Sequence, residues 1–139
     1  PGTKFNYDFW SSCQPRRSTY PSCRAVIACK MQRPDLEKEM LLAIQQAYYL
    51  EAKNPSDDKV LIQLAKETGL NVETFIADFK SDACRDTLDN EIQFARKLYA
   101  SSFPSLIIVK SESASNIQID YNSSDKIFQR ITQKLDAFL

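Results

Sequence analysis

The sequence predicts an α/β chain that is helical for most of its length and closes in a β-hairpin and a helix. Three observations carry this. From residue 22 to residue 99, apolar residues recur at three- and four-residue spacing in five runs joined by short turns. Near residue 104 the spacing changes to two. The 139 residues are 43% hydrophobic and 26% charged, a globular composition with enough apolar surface for a core without metal or disulfide.

Each element follows in order. In the opening TKFNYDFWSS, Phe5, Tyr7 and Phe9 alternate, which predicts a short extended segment. Residues 14–21, QPRRSTYP, read as a loop between Pro15 and Pro21. Ser22 is placed to cap a helix running to about Gln32, whose AVIACKM interior is apolar on more than one side and so central. Pro34 breaks it. The strongest helical pattern spans Asp35 to Lys53, with Leu36, Met40, Ala43, Ile44 and Ala47 on one face and Tyr48 beside them. Asn54-Pro55 stops it, and Ser56, Asp57 and Asp58 offer a cap and negative charge for the next helix, which buries Val60, Leu61, Leu64 and Ala65. Gly69 fits a left-handed C′ position with Leu70 folding back on the helix. Asn71 caps VETFIADF, and Ser81 caps a helix carrying Cys84, Leu88, Ile92, Ala95 and Leu98. The short joints favour a helical bundle.

After Ser101 the character changes. SLIIV at 105–109 predicts one strand and the alternation of Ile117, Ile119 and Tyr121 a second, with the polar KSESASN as the turn. Ser123 or Ser124 caps a last helix with Ile127, Ile131, Leu135 and Phe138 on one side. The expected division is an entry segment and loop at 1–21, helices at 22–99, and the hairpin with its helix at 100–139. A hairpin and one helix make a poor layer alone, so strand 105–109 is expected to pair with upstream residues or with a second copy of the chain. The start at Pro1-Gly2-Thr3 without Met leads to the same expectation of a further segment upstream.

Composition excludes much. Eighteen basic and eighteen acidic residues give zero formal net charge, so no basic surplus favours nucleic acid or an anionic membrane. The longest uncharged apolar run, Phe103 to Val109, falls far short of the roughly 20 residues of a membrane helix. There is no histidine, which removes His-based catalysis and His-containing zinc sets. With Gly2 and Gly69 as the only glycines, no phosphate-cradling loop is possible, and no cofactor is expected. Asp82, Asp86, Asp89 and Glu91, with Arg85 among them, read as a solvated face rather than a metal site. Cys13, Cys23, Cys29 and Cys84 form no CxxC. They are open to three readings: packed reduced thiols, a Cys13–Cys23 bridge, or a redox role. Reduced, partly buried thiols favour a reducing, cytoplasmic setting.

Two stretches carry a resemblance. Ser102-Phe103-Pro104-Ser105-Leu106, followed by a hairpin and a helix, resembles the second half of a thioredoxin fold, where a cis-proline opens a strand. The run from Pro15 to Ala25, PRRSTYPSCRA, resembles the entry to the inserted helical domain of DsbA-like proteins. That group holds FrnE-like dithiol oxidoreductases and 2-hydroxychromene-2-carboxylate isomerases. IQQAYYLEA with Asn54-Pro55-Ser56-Asp57 is similar to the same group. The resemblance implies an α/β, thioredoxin-like (DsbA-like) fold with an inserted helical domain, lacking the N-terminal β-α-β portion and its CxxC.

It further implies thiol–disulfide exchange, with the CxxC supplied upstream, no catalytic residue in this chain, and this chain alone inactive. Pro104 takes the cis-proline position with Phe103 before it, where an extended peptide pairs with the backbone. The residues alone leave an ordinary trans strand-entry proline open. Arg16, Arg17 and Tyr20 are expected either as solvated loop residues or as substrate-binding groups lining a cleft. Tyr48 and Tyr49 are consecutive, so one is a rim aromatic. The implied partner is a dithiol or disulfide protein, or glutathione. The alternatives are a glutathione-dependent isomerase or transferase of the same architecture, and a non-enzymatic helical interaction module.

Overall fold

A computed structural model of the chain describes residues 4–16, 18–111 and 113–136. They form two compact units, Pro1–Asp89 and Asn90–Leu139. Arg17 and Phe138, both singled out in the sequence, lie outside the described residues.

The first unit opens on a correction. Phe5, Tyr7 and Phe9 do not form an extended segment: Phe9–Ser12 is a helical turn, α1. The amides of Ser11 and Ser12 donate to the carbonyl of Asp8, and the Asn6 side chain accepts from the amide of Asp8. The turn sends Phe9 into the core, edge-on to Tyr48 at 4.8 Å. Local hydrogen bonds from Asn6 and Asp8 outweigh the weak two-residue alternation.

Helix α2, Tyr20–Gln32, begins two residues before the expected cap. Pro21 sits in its first turn, where a missing N–H costs least. Ser22 is therefore inside the helix and does not cap it; its hydroxyl donates to the carbonyl of Pro55 at 3.0 Å. The central role of this helix holds: Ala25, Ile27, Ala28 and Cys29 are buried, and α2 packs against its three successors.

The predicted Asp35–Lys53 helix is shorter at both ends. Pro34–Leu36 is a 3-10 turn, and α3 runs Glu37–Tyr49 with Met40, Ile44 and Ala47 buried. It ends in a left-handed turn at Ala52 (φ 53), where the amides of Glu51 and Lys53 donate back to the carbonyls of Gln46 and Ala47.

Helix α4, Asp58–Glu67, buries Leu61, Leu64 and Ala65, with Val60 only half-buried. Asp57 holds the N-cap position without a side-chain cap bond, because its carboxylate pairs with Arg16 instead. Gly69 (φ 87) closes the helix as expected. Its amide donates to Lys66 and the amide of the buried Leu70 to Ala65, the two bonds of a Schellman motif.

Asn71 caps α5, Val72–Lys80, accepting from the amide of Thr74 at 2.9 Å. Phe75 and Phe79 on its inner face are buried and stacked at 5.7 Å. Ser81 caps α6, Asp82–Lys97, accepting from the amide of Cys84. Cys84 and Leu88 are buried.

The second unit starts within α6. That helix ends in another Schellman pair, with Tyr99 (φ 58) in the left-handed position: its amide donates to Arg96 and that of Ala100 to Ala95. The two described strands are β1, Ile107–Lys110, and β2, Ser113–Asn116, antiparallel with Ile107 opposite Asn116 and Lys110 opposite Ser113. This corrects the second strand, expected at Ile117–Tyr121. The reversal begins at Ser111 (φ 54), so most of the segment taken for a turn is strand. Its pairing is made by backbone, to which the polar SASN side chains contribute no apolar pattern. Ile117 follows as the buried residue, its amide donating to the carbonyl of Leu106 at 2.8 Å. Ser123 caps α7, Ser124–Asp136, accepting from the amide of Lys126. No described residue of α7 is fully buried, and Ile127 and Ile131 are half-buried.

Candidate functional site

Two places have the geometry of a site, one in each unit. In the second unit the Phe103–Pro104 peptide bond is cis, directly ahead of β1. Phe103 is 97% exposed. The corner is tied on either side of the proline: the Ser105 hydroxyl donates to the carbonyl of Ser102, and the Ser102 hydroxyl to the carbonyl of Pro104 at 3.3 Å. Pro104 and Leu106 border a shallow hollow of about 240 Å³ with Ile117, Ile119 and Tyr121.

In the first unit a cavity of about 400 Å³ lies between three stretches of chain that are distant in sequence. The first stretch supplies Phe9 and Trp10, the second Pro15, Arg16, Ser18, Thr19 and Ser22, and the third Ile44, Gln45, Tyr48, Tyr49 and Asn54–Ser56. Phe9, Tyr48 and Tyr49 make an edge-to-face series, with Tyr48 4.8 Å from Phe9 and 4.9 Å from Tyr49. Asn54 is 4% exposed and committed at both ends: its amide donates to the carbonyl of Gln14 and its oxygen accepts from the amide of Ser56. The Ser56 hydroxyl donates to the carbonyl of Ser18 at 2.8 Å.

Of the substrate-binding residues expected from sequence, Arg16 lines this cavity and pairs with Asp57. Tyr20, the first residue of α2, is 58% exposed and is not among the described lining residues. Phe103 and Pro104 belong to the other unit. Ser18, expected to do polar work in the same cleft, also lines the cavity, whereas sequence reasoning missed Trp10 and the rim serines Ser22 and Ser56. A lone tryptophan beside a buried phenylalanine was the available signal, but Ser22 and Ser56 carry none.

The cysteines separate by burial. Cys29 and Cys84 are fully buried. Burial, followed by the carboxylates of Glu37, Asp35 and Glu39, pushes the Cys29 thiol up to about 11, and burial raises Cys84 as well. Both thiols stay protonated at neutral pH, the opposite of a reactive cysteine. Cys13 is half-buried with its thiol on the carbonyl of Ala52, and Cys23 is exposed. Among the described residues no cluster of acids or cysteines has the form of a metal site. No helix is long and apolar enough to cross a membrane.

A helical insertion followed by a proline-led hairpin and a terminal helix defines the DsbA-like class of thioredoxin folds. The chain belongs to the thioredoxin family, whose model matches residues 3–130. Among solved structures it is similar to a Nitrosomonas europaea protein provisionally assigned as a protein disulfide isomerase. That match has a TM-score of 0.86 and 22% identity, over 98% of this chain and 67% of that one. It is also similar to the cytosolic disulfide reductase DsbM of Pseudomonas aeruginosa, with a TM-score of 0.74 and 22% identity, over 98% of this chain and 70% of that one. DsbM has also been solved with glutathione. Among curated proteins the ClpXP adapter protein SpxH of Bacillus subtilis is 26% identical over 71% of this chain and 33% of its own length. The SpxH of Shouchella clausii is 22% identical over 86% and 40%. The chain thus spans a third to two-fifths of the length of these curated relatives.

Proposed function

We propose that this chain is the substrate-binding and helical part of a thiol–disulfide oxidoreductase whose reactive dithiol is supplied by another segment. In the exchange, a thiolate attacks one sulfur of a substrate disulfide, and the other leaves as a thiolate. A second thiol then attacks the mixed disulfide and releases the reduced substrate, oxidising the dithiol. The observation that carries the reading is the exposed Phe103–Pro104 corner at the entry to β1, in a chain of the thioredoxin family. With the carbonyls of Ser102 and Pro104 held by serine hydroxyls, the backbone of Phe103 is what an extended peptide would meet in the manner of strand addition. The absence of CxxC from the 139 residues and the raised Cys29 and Cys84 thiols support a dithiol from elsewhere. Glutathione is the favoured small thiol partner, because the similar DsbM has been solved with it, and the cytosolic setting of DsbM supports a cytoplasmic one here. The chain's sheet then takes its further strand from that same other segment.

The test is insulin reduction. The 139-residue chain should show turnover no greater than dithiothreitol alone, and the protein carrying an upstream CxxC should show turnover that Phe103→Asp reduces several-fold. Turnover by the chain alone, lost on replacing Cys13 or Cys23, would show the dithiol assignment to be wrong.

A second reading rests on the SpxH relatives, which are adapters. In it the chain is a non-enzymatic module that presents a client to a protease. ClpXP-dependent turnover of a client, stimulated by the protein with all its cysteines replaced, would favour that reading over exchange.

A further inference from the structure

The cavity of the first unit has a chemistry independent of any thiol. We propose that it binds a flat, uncharged aromatic ring carrying an O–H or N–H donor, of the phenol or indole class.

Shape gives the ring. The volume, about 400 Å³, is within the range of small-ligand sites, which are mostly apolar and aromatic with a few placed polar groups. Phe9, Tyr48 and Tyr49 already pack edge to face, with Trp10 at right angles to Phe9 and 62% exposed. A further ring extends such a series with the offset or perpendicular geometry that aromatic quadrupoles favour. Ile44 supplies the apolar floor.

Charge removes the anions. Arg16 is the one charged side chain among the described lining residues, and Asp57 neutralises it. A carboxylate entering here gives up its hydration without an unpaired cation to meet it. Glutathione, with two carboxylates, fits this cavity poorly even if it serves the exchange chemistry.

Hydrogen bonding sets the polarity of the ligand's polar group. A serine hydroxyl has one proton and two lone pairs. Ser22 spends its proton on the carbonyl of Pro55, and Ser56 on that of Ser18. Asn54 is committed at both ends. What the two serines retain is acceptor capacity, and Gln45, Ser18 and Thr19 on the same wall also carry oxygens that accept, so a ligand group that donates finds its partners here.

Trp10 is the only tryptophan of the chain and lies on the cavity wall, so its selectively excited fluorescence reports occupancy directly. The probes are 4-methylphenol, toluene of the same shape without the donor, 4-methylbenzoate with a charge in its place, and N-acetyl-tyrosinamide. The phenol and the tyrosinamide should change Trp10 emission saturably, and toluene and the benzoate should bind roughly fivefold or more weakly, as expected for one lost hydrogen bond. Ser22→Ala with Ser56→Ala should weaken the phenol by a similar factor and leave toluene unchanged; unchanged toluene binding also shows that the cavity still forms. Tighter binding of the tyrosinamide marks a polypeptide side chain as the natural occupant, and tighter binding of the phenol a free small molecule. Equal affinity for phenol and toluene, preference for the benzoate, or non-saturable quenching by every probe overturns the proposal.

Discussion

The side-chain amide of Asn54 donates to the backbone carbonyl of Gln14 at 2.9 Å, forty residues away in sequence. This bond ties the entry segment to the turn between α3 and α4, and Asn54 is the buried polar residue of the described core. Around it, Cys13 reaches the carbonyl of Ala52, Ser22 that of Pro55 and Ser56 that of Ser18. The cavity exists because side chains of one stretch satisfy backbone groups of the other.

Asn54→Ala should therefore destabilise the chain by about 1–3 kcal/mol, since it orphans the Gln14 carbonyl and the Ser56 amide together. Urea denaturation followed by circular dichroism measures this, and Trp10 emission should shift in the same variant. A midpoint unchanged from the parent would mean that water replaces both bonds without penalty.

The two Schellman turns make a paired prediction. Gly69 (φ 87) has nothing within 4 Å of where a Cβ would stand, so Gly69→Ala costs only the left-handed backbone penalty, about 1–2 kcal/mol. Tyr99 (φ 58) holds the same position at the end of α6 with a bulky side chain. Tyr99→Gly should stabilise the chain by up to about 1 kcal/mol, the relief being partly offset by glycine's freedom in the unfolded chain. Thermal melts that move both variants in the same direction would contradict the shared geometry.

These turns mark what is legible in the sequence. Gly69 is readable because a lone glycine after an apolar helical run, followed by Leu70, has few other uses. Asn71 and Ser81 are readable for the same local reason, a polar cap before an apolar run. Tyr99 is not, since no residue type announces a left-handed tyrosine. The hairpin register is missed because β2 pairs through its backbone and carries no apolar alternation, while Ile117 lies just beyond it. The cavity is illegible for a different reason: its wall comes from segments 9–22 and 44–56, which are brought together by long-range bonds of Asn54, Ser22, Ser56 and Cys13 that no local pattern announces.

The buried thiols give a pH dependence of fixed sign. Cys29 is pushed up to about 11 in the folded chain, by burial first, whereas an unfolded cysteine ionises near ~8.5. As pH rises through that window the unfolded chain loses the proton first and is favoured, so the stability contributed by a neutral buried thiol is complete below about pH 8.5 and declines toward pH 11. Cys84, also raised, acts in the same direction. The stability difference between the parent and Cys29→Ala should therefore shrink between about pH 8 and pH 10.5. A pH-independent difference would exclude ionisation of Cys29 as the cause. Consistent with the same burial, Cys29 and Cys84 should resist iodoacetamide until the chain unfolds.

The last prediction concerns the open edge of β1. Among the described residues β1 pairs with β2 alone, and its apolar residues lack cover: Ile107 and Ile108 are half-buried and Val109 is 47% exposed. Ile117 donates to Leu106, and side chains and amides alternate along a strand, so the amides of Ile108 and Lys110 face β2 and those of Ile107 and Val109 face away. An unpaired apolar edge of this kind templates further pairing, which proteins satisfy with another strand. Hydrogen exchange at low concentration should accordingly alternate in the 139-residue chain, with Ile108 and Lys110 slower and Ile107 and Val109 fast. In the protein extended by an upstream strand–helix–strand unit (roughly 60 to 80 residues), Ile107 and Val109 should slow by one to two orders of magnitude while Ile108 and Lys110 change less, because only the outer amides gain partners. If raising the concentration of the 139-residue chain alone protects the same two amides, a second copy completes the sheet. Strong protection of Ile107 and Val109 in a strictly monomeric 139-residue chain would show that the edge is already satisfied, and the proposal that another segment pairs with β1 would fail.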